Sequence, residues 1–281
     1  MNNPGKQLEN YNTKFTFRQL LSFSVLFVTE TLGRRRISRL MQCRIGRPNV
    51  HVSGIENLPN SGSFTLATNH FRAGLSIAVI SALITATLKQ RPDLKDDFLL
   101  VVGNRVNSNL NPDRISVKLT RRILKWLRSR WANSILHIPI GNERPSISFL
   151  REWRIRCQRQ PVIIFPEGEG SLQFKPVRQG AGRWLSSFPA PTIPVGVWWH
   201  KNIWHVRFGP AMEWSTRSEL RDVQLGLSIA ALLPKDIAAA WQEDLQRWKS
   251  AHNGLQPRLV EQPIADGEPT DENVRSVAAV V

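Results

Sequence analysis

The sequence predicts an α/β fold, a mainly parallel sheet flanked by helices, preceded by an N-terminal helical hairpin. Three observations carry this prediction. From about Val50 onward, short β-rich runs alternate with helical ones, the order that a parallel sheet with helical crossovers requires. Hydrophobic residues make up 41% and charged residues 21% of the 281. That supports a buried core and excludes both a disordered chain and a polytopic membrane protein. Ahead of the alternation lies a mostly apolar run, Leu20 to Val28, followed by an arginine-rich stretch.

The elements follow in order. The first dozen residues are polar and are expected to fray. The run LLSFSVLFV, extended by Phe15, Phe17 and Leu32, falls short of the ~20 apolar residues a membrane-spanning helix needs. It is followed by TETLGRRR rather than the small-residue site of a cleaved signal peptide. It reads as an uncleaved hairpin lying on one leaflet, with Arg34, Arg35, Arg36, Arg39, Arg44 and Arg47 at the headgroups. Burial of the same helix against the protein's own core is the rival reading. Strands are expected over 50–52, 64–68, 98–102, 135–140, 161–165, 192–198 and 203–208. Helices are expected over 74–89, 114–131, 146–159, 178–187 and 234–250. The last two strands are close enough to form a hairpin over His200 to Asn202 and add an antiparallel edge. Three regions result: membrane-associating helices over 1–47, the α/β domain over 48–253, and a disordered tail over 254–281.

The formal net charge is +16, which calls for an anionic partner: a membrane surface, a phosphorylated substrate or nucleic acid. The tail carries Arg258 and Arg275 against Glu261, Asp266, Glu268, Asp271 and Glu272, so the body is more basic than the whole. Arg114, Lys118, Arg121, Arg122, Lys125 and Arg128 recur at helical spacing opposite an apolar side. Such a helix suits anionic headgroups, and equally a solvated face on a core-packed helix. Without a nucleic-acid module, binding to nucleic acid is expected to be weak, unspecific and steeply salt-dependent. Ten Trp against one Tyr fit a water–lipid boundary or an ordinary core. The two cysteines, Cys43 and Cys157, exclude a disulfide scaffold and a cysteine-rich metal site, and make a reduced compartment the default.

Two segments at strand ends could carry chemistry. Thr68-Asn69-His70-Phe71-Arg72-Ala73-Gly74 follows a strand and opens an apolar helix, and places a histidine where it can act as general base or merely as a structural residue. Phe165-Pro166-Glu167-Gly168-Glu169-Gly170-Ser171 follows another strand, and its glycines let backbone turn sharply against a ligand. It continues as Phe174-Lys175-Pro176-Val177-Arg178-Gln179-Gly180, where Lys175 and Arg178 could hold a phosphate or headgroup.

Together these segments resemble the phospholipid/glycerol acyltransferase family, best known from enzymes that convert lysophosphatidate to phosphatidate. Asn69-His70 match its first motif, Asn-His followed four residues later by Asp. Phe165, Pro166, Glu167, Gly168 and Ser171 match its third, Phe-Pro-Glu-Gly-Thr-Arg-Ser. FKPVRQG and Thr192-Ile193-Pro194-Val195 follow in the family's order, and HIPIGNER matches the second motif loosely, with Arg144 its arginine. The resemblance covers about Val50 to Pro210. It implies transfer of a fatty acyl chain from acyl-CoA or acyl carrier protein to a hydroxyl of a glycerolipid or similar acceptor, with no bound cofactor or metal. It implies His70 as the base that deprotonates that hydroxyl. It implies Asn69, Arg144, Glu167, Gly168, Ser171, Lys175 and Arg178 as substrate-binding residues. A peripheral or monotopic position on the cytoplasmic face of a membrane goes with it.

Two departures bear on this. Leu75 stands where the family's aspartate orients the histidine, and Glu169-Gly170 replace its Thr-Arg. Losing the orienting carboxylate costs a serine-protease triad about 10⁴ in kcat. A backbone carbonyl, Ser76, Glu167 or Glu169 are the candidate replacements. A non-catalytic relative that binds lipid or acyl carrier in the same cleft is the alternative that Leu75 supports.

Overall fold

The structure, a computed structural model, describes residues 17–33, 38–40, 49–71, 73–94, 98–103, 126, 129–131, 133–138 and 147–251. The expected basic helix over 114–131 lies almost wholly outside them, as do Arg144, most of the arginine run and the tail.

Seven strands form one sheet: β1 (Val50–Ser53), β2 (Thr65–Thr68), β3 (Leu99–Gly103), β4 (Ile135–Ile138), β5 (Val162–Ile164), β6 (Thr192–His200) and β7 (Ile203–Phe208). Their order is β1-β7-β6-β2-β5-β3-β4. Every neighbouring pair is parallel except β6 with β7. The central strands β2 and β5 are buried along their whole length because both faces are covered, as parallel sheets require. The β6–β7 hairpin turns on Lys201 and Asn202, both at positive φ (49° and 62°), the two-residue turn whose twist matches that of the strands. One expectation is corrected here. The hairpin does not end the sheet, because β1 pairs in parallel with β7 and takes the edge.

Among the helices, α1 (Phe17–Leu32) precedes the sheet, and α2 (Ala73–Gln90) follows β2. Helix α2 is apolar nearly all round, with Leu75, Ala78, Val79, Ala82, Leu83, Ile84 and Ala86 buried, as befits a helix inside the core. It lies against β1, β6 and β7. After it come α3 (Ile147–Cys157), the single turn α4 (Ala181–Leu185), α5 (Arg221–Ala230) and α6 (Gln242–Ala251). The sequence reading has no element at α5. Asp222 there accepts from the backbone N–H of Gly180 and Gly182, both at 2.6 Å, so the helix is fixed by a partner 40 residues away. The helix expected over 234–250 begins only at Ala239, as a 3₁₀ turn, because the Pro234 carbonyl closes a separate turn onto Ile237 and Ala238.

The expected hairpin over 1–47 is described only in part, as one helix and a helical segment at 38–40. Helix α1 divides by face. Phe23, Leu26 and Phe27 pack on the core, Phe27 stacks on Trp131, and Trp131 Nε1 donates to Thr31 Oγ1 at 3.1 Å. Phe17, Leu21, Val25, Val28 and Leu32, spaced by three and four residues, are each more than half exposed. Arg39 is bonded at 3.1 Å to the buried Glu30. Among the described residues no helix is long and apolar enough to cross a membrane. Nine of the ten tryptophans lie in or against the core, with Trp126 the exposed one, so the tryptophan content here builds the interior.

Gly226 in α5 shows how closely this interior is packed. A Cβ at this position would lie 1.9 Å from the Trp241 ring, which stacks on Phe174 and donates from Nε1 to the Lys175 carbonyl at 3.3 Å. Gly226→Ala should therefore destabilise the protein by about 1–3 kcal/mol through overpacking. Chemical denaturation would show this as a lower midpoint, and Trp241→Leu in the same chain should recover part of the loss.

Candidate active site

Strands β2 and β5 are neighbours with Thr65 opposite Val162, Leu66 opposite Ile163 and Ala67 opposite Ile164. Extending this register past the strand ends sets His70 opposite Glu167. The contact is made: the His70 backbone N–H donates to Glu167 Oε1. The other carboxylate oxygen, Oε2, accepts from the Lys175 N–H at 2.7 Å. The Ser171 N–H donates to the His70 carbonyl at 3.0 Å, and the Arg178 N–H to the Pro166 carbonyl at 2.9 Å. The two segments singled out in the sequence thus form one rim at the C-terminal ends of adjacent parallel strands, where open α/β sheets place ligands.

All the expected site residues except Arg144 fall among the described ones. Glu167 is 8% exposed, and burial pushes its carboxyl up to about 8, against the pull of the Lys175 and His70 N–H groups and the Lys175 charge. Asn69 is 1% exposed and clamps β6: its Nδ2 donates to the Val197 carbonyl at 2.9 Å and its Oδ1 accepts from the Val197 N–H at 2.8 Å. Its amide thus serves the backbone and joins the loop after β2 to the next strand. Gly168 is exposed at φ +74°, a conformation that side chains rarely adopt, and the Arg178 side chain passes beside it. The Ser171 hydroxyl donates to the Gln173 carbonyl. Lys175 and Arg178 are exposed. Arg144 lies outside the described residues.

His70 is partly exposed and stacks on Phe165, ring centroids 4.5 Å apart. Sequence reasoning missed this contact, and only the position of Phe165 at the end of an apolar run hinted at it. Burial lowers the His70 pKa, so the imidazole is neutral near pH 7. Its Nδ1 is buried and has no hydrogen-bond partner among the described residues. None of the groups expected to orient the ring in place of an aspartate bonds it. Ser76 donates to the Phe71 carbonyl, both Glu167 oxygens serve backbone N–H groups, Glu169 is exposed, and no backbone carbonyl among the described residues bonds the ring nitrogen. Leu75 is 6% exposed, packed into the core.

The class this geometry defines is an α/β protein with a partly buried histidine and a buried glutamate carboxyl group on facing strand-end loops. No family model matches the chain, and no curated protein does. Among solved structures, it is similar to the 1-acyl-sn-glycerophosphate (LPA) acyltransferase PlsC from Thermotoga maritima. The two are 14% identical, with 83% of this chain and 87% of that chain covered, at a TM-score of 0.42.

Proposed function

We propose that this chain transfers an acyl group from a thioester, acyl-CoA or acyl carrier protein, to a lipid acceptor held over His70; the resemblance implies a hydroxyl acceptor. One observation supports this most: the Asn-His and Phe-Pro-Glu-Gly segments, far apart in sequence, meet through Glu167 with a histidine at their junction. Lys175 and Arg178 lie on the same rim and suit an anionic acceptor or the phosphates of an acyl carrier. Incubating purified protein with labelled acyl-CoA or acyl carrier protein and a panel of lysolipids and alcohols tests the reading. Acyl transfer that requires His70 is the expected result. Tight binding of lipid or acyl carrier without turnover would favour the non-catalytic alternative, for which the unpartnered Nδ1 and Leu75 speak.

The reading includes attachment to an anionic membrane surface on its cytoplasmic face. The exposed stripe Phe17, Leu21, Val25, Val28 and Leu32 supports it, because five apolar side chains on one helical face are otherwise left to water. Full burial of a Val or Leu side chain is worth roughly 1.5–3 kcal/mol. Leu21→Ser with Val25→Ser should therefore lower partition onto anionic vesicles by about 10- to 100-fold in a flotation assay. Both side chains are more than half exposed, so the fold should be little affected. High salt should weaken wild-type binding without abolishing it, since apolar burial is not screened. Wild-type protein that ignores such vesicles at low salt would remove this part of the reading.

A further inference from the structure

The proton inventory at His70 constrains which acceptor the cleft can serve. For Nε2 to act as a base, the neutral ring must carry its proton on Nδ1. After accepting a second proton, the ring is an imidazolium with N–H groups at both nitrogens. Nδ1 is buried and meets no acceptor among the described residues. A base cycle through Nε2 therefore leaves a buried N–H unpaired at its start, and a buried charged N–H unpaired at its end. In a catalytic triad the carboxylate removes this penalty by fixing the tautomer and stabilising the imidazolium. Here Leu75 occupies the family's carboxylate position, and both Glu167 oxygens accept from backbone N–H groups. With the proton on Nε2 the penalty is smaller. His70 is partly exposed and only its Nδ1 is a buried atom without a partner, so an N–H on Nε2 can be met by a substrate or by solvent. The basicity of the imidazole, lowered by burial, acts in the same direction.

We propose that His70 works here as a hydrogen-bond donor through Nε2–H rather than as a proton acceptor, and that the acceptor it serves is a lipid-like amine in its neutral form rather than a hydroxyl. The proposal rests on the acyl-transfer reading and revises its acceptor atom. A neutral alcohol attacking a thioester becomes a strongly acidic oxonium and needs a base in the transition state. A neutral amine does not. Its nitrogen lone pair forms the C–N bond, and the carbonyl π electrons move onto oxygen, where the Nε2–H can donate to the developing charge. Collapse of this intermediate breaks the C–S bond. The departing thiolate takes up the proton lost by the ammonium nitrogen, so thioester and amine give amide and thiol, with no proton left on the protein.

The test has two arms on the full chain. Two-bond ¹H–¹⁵N spectra of the imidazole side chains, with His70→Ala for assignment, read the tautomer without reference to activity. Matched probes, hexadecylamine and hexadecanol, with labelled palmitoyl-CoA compare amide with ester formation, after subtracting the uncatalysed reaction. The expected result is an Nε2–H tautomer at His70 and amide formed at least about tenfold faster than ester, following the free-amine fraction as pH changes. Leu75→Asp should move the proton to Nδ1 and raise the ester rate about tenfold or more. Should that variant not fold, Leu75→Asn offers Nδ1 an uncharged acceptor and should shift the tautomer in the same sense. An Nδ1–H tautomer in the wild type, or ester formed faster than amide, overturns the proposal. An Nε2–H tautomer with transfer to neither probe nor to any of the lysolipids overturns the acyl-transfer reading, and with it the amine assignment.

Discussion

Replacing Glu167 with alanine should cost the protein about 2–6 kcal/mol, because the N–H groups of His70 and Lys175 lose their acceptor together and each loss is worth about 1–3 kcal/mol. The expected outcome is a protein whose two rim segments separate before the sheet melts. Hydrogen exchange should show lost protection at His70, Ser171 and Lys175 ahead of β2 and β5. Glu167→Gln should lie between, since its single amide oxygen can serve one of the two donors. The pH dependence carries a definite sign. Burial holds the Glu167 carboxyl up to about 8, against an ordinary value of 4.5. Between those values the folded chain keeps a proton that the unfolded chain has released, so this group's contribution to stability falls as pH rises from 4.5 toward 8. Denaturant midpoints across that range should decline in the wild type, and Glu167→Gln should flatten the slope. An unchanged slope in the Gln variant would show that another group governs it.

His70→Ala should lower acyl transfer by about 10²–10³ in kcat, the usual loss when one donor to a developing oxyanion is removed. Folding should change little, because the His70 ring is partly exposed and makes no side-chain hydrogen bond at Nδ1. The anchoring bonds of this residue, to Glu167 and Ser171, come from its backbone and survive the substitution. Single-turnover rates with labelled acyl donor would check this. Activity unchanged without His70 would remove the histidine from the mechanism.

All seven strands were legible in the sequence to within two residues at each end, because alternating or continuous apolar runs bounded by Gly, Pro and Asn fix period and length locally. Helices α2 and α3 were legible for the same reason. Helix α5 was not. Gly226 and Ser228 weaken its local propensity, and it forms where it can pack on β6 and bond Gly180 and Gly182 through Asp222. The edge position of β1 was equally illegible, since a four-residue strand carries no record of which partner, 150 residues on, it will pair with.

At the site, the division falls between residue identity and residue use. The sequence by itself determined which chemistry-bearing residues stand at the ends of β2 and β5, that an apolar Leu75 follows His70 by five positions, and that the chain is strongly basic. Those are properties of single positions and of local runs. Tertiary structure alone decided that Asn69 is spent on the β6 backbone, that Glu167 joins two loops rather than facing His70 Nδ1, and that α1 turns one apolar face inward and leaves the other exposed. The reason is physical. A polar side chain bonds whatever donor or acceptor the fold brings within about 3 Å. For Asn69 and Glu167 that partner is fixed by strand order and register, through contacts between segments roughly 100 residues or more apart.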